Sequence, residues 1–121
     1  MSGLSSEQTQ FARALAHPNK RTRDSTMATL REYLSSQQSI EYVELLKLWK
    51  GLFYCMWLAD KAPVQKELAD AISDLLHVFK SEQLALDYTR AFLATIVREW
   101  SGIDYLRVDK YYTFIRSFVR H

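Results

Sequence analysis

Large apolar residues recur at a nearly constant spacing along this chain of 121 residues. The residues that are 42 positions apart are Leu30, Ile72 and Phe114; Leu34, Leu76 and Phe118; Phe11 and Phe53; and Leu15 and Trp57. Two further pairs, Phe53 with Ile96 and Trp57 with Trp100, are 43 positions apart. Such a recurrence is typical of stacked structural repeats, in which each unit buries its apolar face against the next.

Each repeat is predicted to be helical. Only three glycines and two prolines interrupt the chain, and no segment alternates apolar and polar residues long enough to predict a strand. Caps and turns predict six helices. The first runs from Ser5 or Ser6 to about His17, and the second from about Lys20 to Ser35. The third ends at about Asp60, and the fourth has Pro63 in its first turn. The fifth runs from a cap at Ser81 to Ser101 and Gly102, and the sixth starts at Asp104. The residues expected to face inward on the fifth helix are Leu84, Tyr88, Phe92, Leu93, Ile96, Val97 and Trp100.

The most apolar stretch is Leu45–Val64, which contains the third helix. A membrane span needs about 20 mostly apolar residues. Here Lys47 and Lys50 fall inside the run, and Asp60 closes it. The stretch therefore predicts a helix in the centre of a folded core, and no membrane association is expected.

The predicted fold is an all-α, right-handed array of about six helices in three hairpins, similar to HEAT and armadillo repeats. A spacing near 42 is within the range of those repeats, and "LAHPNKRTRDSTMATLREYL" resembles a HEAT unit with its proline turn and following basic residue. The chain is expected to be one domain, residues 1–121. The alternative is a closed bundle whose amphipathic helices share a register by coincidence.

An array of this kind, an α-solenoid, leaves one apolar face open at its last repeat. On the sixth helix Tyr112, Ile115 and Val119 extend the apolar surface beyond what one buried flank needs. These three residues are the predicted protein-interaction face, which a continuation of the array or a partner would cover.

The sequence offers few candidates for catalysis. His17, His77 and His121 lie far apart, Cys55 is in the most apolar helix, and no HExxH, CxxC, GxSxG or phosphate-loop pattern occurs. We therefore predict no catalytic, metal-binding or cofactor-binding residues and no small-molecule substrate. The absence of a disulfide framework is typical of a reducing compartment.

Basic residues are the candidates for contact with nucleic acid, although the net charge of +2 is small. Lys20, Arg21 and Arg23 lie at the first turn within a hairpin, and Lys61 with Lys66 at the second. In a stacked array such turns line one edge, which would form a basic ridge against phosphates. The C-terminal basic residues are Arg107, Lys110, Arg116 and Arg120. A solvated edge balanced by Asp24, Asp60 and Glu67 is the equally open alternative.

Tryptophan side chains can stack on nucleic-acid bases. However, Trp49, Trp57 and Trp100 recur on the apolar faces of the predicted helices, where packing in the core is the favoured role.

Three segments resemble the eukaryotic nucleolar ribosomal RNA-processing protein 1 family, the Nop52-like proteins. They are "FARALAHPNKRTRDSTMATLREYL", "LLKLWKGLFYCMWLADKAPVQKELADAI" and "VREWSGIDYLRVDKYYTFIR", in the same order and over almost the whole chain. The resemblance implies a nuclear, nucleolar assembly factor of the large ribosomal subunit that is not an enzyme. Members of the family are usually longer, with further helices and often a basic tail, so this sequence corresponds to the N-terminal part of a longer family domain.

Three hypotheses follow. The first is a scaffold that takes part in processing of ribosomal RNA within pre-60S particles, and that contacts the ribosomal RNA backbone and other assembly factors. The second is an interaction adaptor that binds proteins only. An RNA-cleaving enzyme is the third and remote possibility.

Overall fold

The structure is a computed structural model, and it describes residues 5–103 and 107–120. Within these ranges the chain forms six α-helices and no strand. The helices are α1 (Ser6–Leu15), α2 (Lys20–Ser36), α3 (Tyr42–Leu58), α4 (Ala62–Asp74), α5 (Glu82–Glu99) and α6 (Val108–Arg120). Short 3₁₀ turns follow α4 at Leu75–His77 and α5 at Trp100–Gly102. The all-α prediction is confirmed.

The predicted helix starts are set by side chains that satisfy free backbone amides. Ser5 and Gln8 form a reciprocal capping box at the start of α1. The Ser81 hydroxyl accepts a hydrogen bond from the Leu84 amide at 3.1 Å at the start of α5, and Asn19 caps α2. Pro63 lies in the first turn of α4 as expected. The predicted start of the sixth helix at Asp104 lies outside the described residues.

Helix α4 changes to a 3₁₀ turn at its C-terminal end. Its carbonyl at Ile72 accepts a hydrogen bond from the buried Tyr88 hydroxyl at 2.9 Å. In a continuing α-helix the same carbonyl would serve the amide of Leu76. Here the Ile72 carbonyl accepts a hydrogen bond from the Leu75 amide, three residues on, which is the spacing of the tighter 3₁₀ turn that begins at Leu75.

The helices pack in an orderly sequence. Helix α1 packs against both α2 and α3, α3 packs against α5, and α4 packs against α6. Ion pairs join α2 to α4, with Arg23 to Glu67 at 2.8 Å and Arg31 to Asp74 at 2.9 Å. Alternate helices therefore contact each other, in the series α1–α3–α5 and α2–α4–α6, in addition to the contacts of α1 with α2 and of α3 with α4.

Helices α1 and α3 approach closely at Gly51. A Cβ atom at this position would lie 3.2 Å from the ring of Phe11. The Gln8 side chain also donates a hydrogen bond to the Lys47 carbonyl at 2.9 Å. The lack of a side chain at Gly51 thus allows the two helices to pack against each other.

Trp49 occupies the centre of the core, with 1% of its surface exposed. Its ring centroid lies 4.8 Å from that of Tyr88 and 5.0 Å from that of Phe92 on α5, and 6.0 Å from that of Phe114 on α6. The indole N–H donates to the Tyr88 carbonyl at 2.9 Å. The apolar stretch identified in the sequence is therefore a core helix, and no described helix meets the length and hydropathy that a membrane crossing requires.

Two residues predicted to face inward on α5 do not. Leu93 and Val97 are 55% and 78% exposed, so that part of the prediction is wrong. The interior direction of α5 is fixed by Leu84, Tyr88 and Phe92, which are buried. Because each residue turns the helix by about 100°, the position after Phe92 already points away from the core.

Candidate nucleic-acid interface

The turn between α1 and α2 is held by a buried guanidinium. Arg23 is 8% exposed. Its Nη1 donates to the carbonyls of His17 at 2.8 Å and Pro18 at 3.0 Å, and its Nε donates to Oε2 of Glu67 on α4 at 2.8 Å. This side chain therefore closes its own hairpin and contacts the next one.

The turn between α3 and α4 repeats this bonding with a neutral side chain. Gln65 lies 42 residues after Arg23, and its Nε2 donates to the carbonyls of Ala59 at 2.9 Å and Asp60 at 3.2 Å. These two acceptors lie 42 residues after His17 and Pro18. The spacing found in the sequence thus recurs in the hydrogen bonds, at both donor and acceptors.

Glu67 neutralises part of the basic cluster. It accepts from Arg23 and also from Lys20, whose Nζ lies 3.0 Å from Oε1. The hydrogen bond from Arg23 is the main cause of a lowered pKa for the Glu67 carboxyl, against a smaller opposing effect of burial. The hydrogen bonds to Glu67 and Asp24 raise the pKa of Lys20. Both pKa shifts favour the charged forms, the Glu67 carboxylate and the Lys20 ammonium.

The five residues of the predicted ridge fall into three groups. Arg23 is buried. Lys20 and Lys66 are exposed but paired, Lys66 with Asp70 at 3.0 Å. Arg21 and Lys61 are exposed, and neither forms an ion pair within the described part of the chain.

The four C-terminal basic residues also differ in how far they are buried. Lys110 is buried and donates to the carbonyls of Trp57 and Ala59, both at 2.8 Å. Arg107 donates to the Trp57 carbonyl at 3.3 Å, and its guanidinium lies 4.1 Å from the centroid of the Trp57 ring. Both residues therefore satisfy the C-terminal carbonyls of α3. Arg116 and Arg120 are exposed on α6.

A cavity of about 450 Å³ lies beside the two turns. The side chains that line it include Arg13, His17 and Pro18 from the first hairpin and Leu58, Lys61 and Val64 from the second. Arg13 and His17 are missing from the sequence-based candidates. The available signal was their four-residue spacing, which would put both on one face of the predicted first helix; in the structure α1 ends at Leu15 and His17 lies in the turn.

Apolar side chains are exposed on the last two helices. On α6 Tyr112 and Val119 are exposed and Ile115 is half-buried, and the Tyr112 ring packs edge-on against Trp100 at 5.5 Å. On α5 Leu86, Leu93 and Val97 are exposed. Together with Arg90 they follow the four-three-four spacing of a coiled-coil seam. The α5 residues were not recognised as a surface in the sequence.

Neither a metal-binding cluster nor an accessible thiol is found among the described residues. Residues 5–103 and 107–120 contain no cluster of three or more His, Cys, Asp or Glu side chains that could hold a metal ion. The Cys55 thiol is fully buried and donates to the Leu52 carbonyl at 3.0 Å. Burial raises the pKa of this thiol, which keeps it protonated and unreactive.

Comparison with known proteins gives a family match over nearly the whole chain. Residues 6–121 match the family described as "Nucleolar protein, Nop52". The chain is 45% identical to mouse ribosomal RNA processing protein 1 homolog B over 122 aligned positions, 43% identical to human homolog A over 112, and 35% identical to the Caenorhabditis elegans homolog over 120. These alignments cover 97%, 88% and 97% of this chain.

The alignments cover only 17%, 24% and 30% of the three relatives, so the chain spans less than a third of their length. The family match confirms the resemblance seen in the three sequence segments. The description of the family also confirms the predicted nuclear, nucleolar location. The chain belongs to the Nop52 family of nucleolar proteins.

Proposed function

We propose that this chain is a non-catalytic scaffold in ribosome biogenesis. It acts in the processing of ribosomal RNA within pre-60S particles, where it contacts the RNA backbone and other assembly factors. The observation that carries the proposal is the Nop52 match over residues 6–121, together with relatives that are named for ribosomal RNA processing. The proposed role involves no cofactor and no small-molecule substrate.

The proposed architecture is a right-handed HEAT- or armadillo-like solenoid, with residues 1–121 as one domain that forms the N-terminal part of a longer array. Two observations support it. The packing joins odd-numbered helices to each other and even-numbered helices to each other, as in a two-layer stack of hairpins. The bonds of Arg23 and Gln65 repeat at a spacing of 42 residues.

The proposed RNA contacts are made by the exposed basic residues of the two turns. Arg21 and Lys61 are available without breaking an ion pair of the described chain, so they are the primary contacts. Lys20 and Lys66 can exchange an exposed carboxylate for a phosphate at little cost, because surface ion pairs contribute only about 0–1 kcal/mol. Arg116 and Arg120 extend the basic surface along α6. In this proposal Arg23, Lys110 and Arg107 support the contacts by holding backbone carbonyls.

The proposed protein contacts use the apolar residues of α5 and α6. Tyr112, Ile115 and Val119 form one part of this surface. The exposed stripe on α5 has the spacing that accepts an amphipathic helix. Arg90, whose Nη1 lies 3.5 Å from Oδ1 of Asp87, would exchange this ion pair for a carboxylate of the partner. Such a helix would come from another assembly factor of the pre-60S particle.

The RNA part of the proposal is tested by charge reversal. We expect the double variant Arg21→Glu, Lys61→Glu to lose most of its co-sedimentation with nucleolar pre-60S particles, because it replaces two phosphate contacts with repulsion. The matched control is Lys47→Glu, Lys80→Glu, which changes the net charge equally at exposed positions away from the turns. Equal co-sedimentation of the two variants would remove the basic turns from the proposal.

The protein-only adaptor is the second candidate, and the exposed stripe on α5 favours it. Crosslinking in purified particles separates the two functions. RNA adducts at Arg21 or Lys61 support the scaffold. Protein crosslinks near Leu93 and Tyr112, in the absence of RNA adducts at the turns, support the adaptor.

A further inference from the structure

We infer that the cavity between the first and second turns accepts one unstacked nucleotide of single-stranded RNA. This inference rests on the proposed contact with RNA, and it adds a preference for single strands over duplexes. The cavity lies between two hairpins, with Arg13, His17 and Pro18 on one side and Leu58, Lys61 and Val64 on the other.

The charges that line the cavity suit a phosphate. Arg13 and Lys61 are exposed, and neither forms an ion pair with any residue that the structure describes. His17 accepts a hydrogen bond at Nδ1 from the Asn19 amide at 3.0 Å. In the neutral imidazole the proton is then on Nε2, which can donate to a phosphate oxygen. Two cations and one imidazole N–H donor therefore border the same space.

The remaining walls suit a base and a ribose. Pro18, Leu58 and Val64 supply an apolar surface. Asp60 also lines the cavity, and its carboxylate can accept a hydrogen bond from a ribose 2′-hydroxyl. The volume of about 450 Å³ is within the range of ligand sites, roughly 300–1,000 Å³.

The shape of the site explains the expected preference. A base can enter a side cavity only when it is out of the helical stack, which is the usual state in loops and single strands. A duplex presents only its phosphates, and these can reach the exposed turns without using the cavity. The apolar walls offer no hydrogen-bond pattern for a base edge, so we expect little dependence on sequence.

The test compares two sets of variants by filter binding, with one RNA oligonucleotide as a single strand and as its duplex. The cavity variants are Arg13→Ala and Val64→Glu, and the control is the edge variant Arg21→Ala, Lys66→Ala. Lys61 is left unchanged because it belongs to both surfaces. Val64 lies in the first turns of α4, where a glutamate is compatible with the helix. Circular dichroism and thermal melting verify that each variant is folded.

We expect the unmodified chain to bind the single strand more tightly than the duplex. The cavity variants should lose this preference and keep their affinity for the duplex. The edge variant should weaken binding to both RNAs and keep the preference. Its two lost phosphate contacts should also reduce the slope of log K against log salt by about 1.4 on the single strand.

Other outcomes separate the inference from the function it rests on. If the cavity variants retain the preference while the edge variant weakens both complexes, the cavity inference is overturned and the proposed RNA contact stands. If the unmodified chain binds neither RNA, both fail. If the cavity variants lose binding to a polyglutamate probe and bind RNA normally, the cavity recognises an acidic peptide, which also overturns the inference.

Discussion

The turn between α1 and α2 (the first turn) and the turn between α3 and α4 (the second turn) are held by the same pattern of hydrogen bonds, from side chains of different chemistry. In each, two carbonyls that follow the last residue of one helix accept hydrogen bonds from a side chain near the start of the next helix. The donor is Arg23 in the first turn and Gln65 in the second. Both turns therefore use a long side chain as the donor at this position, and Gln65 shows that the donor need not be charged.

The charge of Arg23 has a separate purpose. Its third hydrogen bond goes to Glu67 on α4, which lies in the next hairpin. Gln65 makes no bond of this kind among those that the structure describes. The comparison thus separates two contributions: closure of a hairpin, which both turns need, and attachment to the following hairpin, which the charged donor adds.

The largest expected effect is that of Arg23→Ala. It removes the donor to two carbonyls and leaves Glu67 without its main partner, so we expect the free energy of unfolding to fall by about 3 kcal/mol. Arg23→Gln converts the first turn to the chemistry of the second and should cost clearly less. Urea denaturation measures both. The exposed neighbour Arg21→Ala is the control, with an expected change within about 0.5 kcal/mol. Equal losses for Arg23→Ala and Arg23→Gln would show that closure of the hairpin adds nothing.

A smaller effect is expected from the protonation of Glu67. Its folded pKa is lowered, chiefly by the hydrogen bond from Arg23, so the unfolded chain takes up the proton first. The stabilisation is fully present above the unfolded value of 4.5 and is lost as the pH falls through the folded pKa. The stability advantage of the unmodified chain over Glu67→Gln should be constant above this pH and shrink below it. An advantage that stays constant into acid would rule out the ion pair as its source.

Gln65→Ala should be less damaging than Arg23→Ala, at about 1 kcal/mol, because only neutral hydrogen bonds are lost. The Ala59 carbonyl also keeps its bond from Lys110. Urea denaturation at neutral pH measures the change. A loss as large as that of Arg23→Ala would contradict the separation of the two contributions.

The smallest effect is expected for Lys20→Ala. This lysine shares Glu67 with Arg23, but its side chain is exposed to water. We expect a change near the limit of detection, together with a weak coupling to Glu67 in a double-mutant cycle. A coupling as strong as that between Arg23 and Glu67 would show that the two cations act as one network.

The helices were predictable because their signals are local. Ser5, Asn19 and Ser81 accept hydrogen bonds from amides two or three residues away, and Pro63 fits the first turn of α4, so the signals for these helix starts are local in the sequence. The 42-residue spacing of the apolar residues also separates Arg23 from Gln65, which form equivalent hydrogen bonds in the structure. The interior of α5 was predicted less well. Leu93 is apolar, and only the packed structure decides on which side of Phe92 the core ends.

The candidate site was only partly predictable. The sequence identifies Arg21, Arg23 and Lys110 as basic, but it does not say which backbone carbonyls lie within reach of each. Long side chains are placed by tertiary contacts, and these direct Arg23 and Lys110 inward. The cavity that includes Arg13 was missed for the same reason, since it exists only where two hairpins meet.

The position of Trp49 gives the molecule an internal optical probe. Its indole is sealed from water and touches rings from both α5 and α6, whereas Trp57 and Trp100 are half-buried. Separation of α5 and α6 from α3 would therefore expose the Trp49 indole to water and move its fluorescence emission to longer wavelength. The wavelength of the emitted light thus reports whether α5 and α6 remain packed against α3, without any added label.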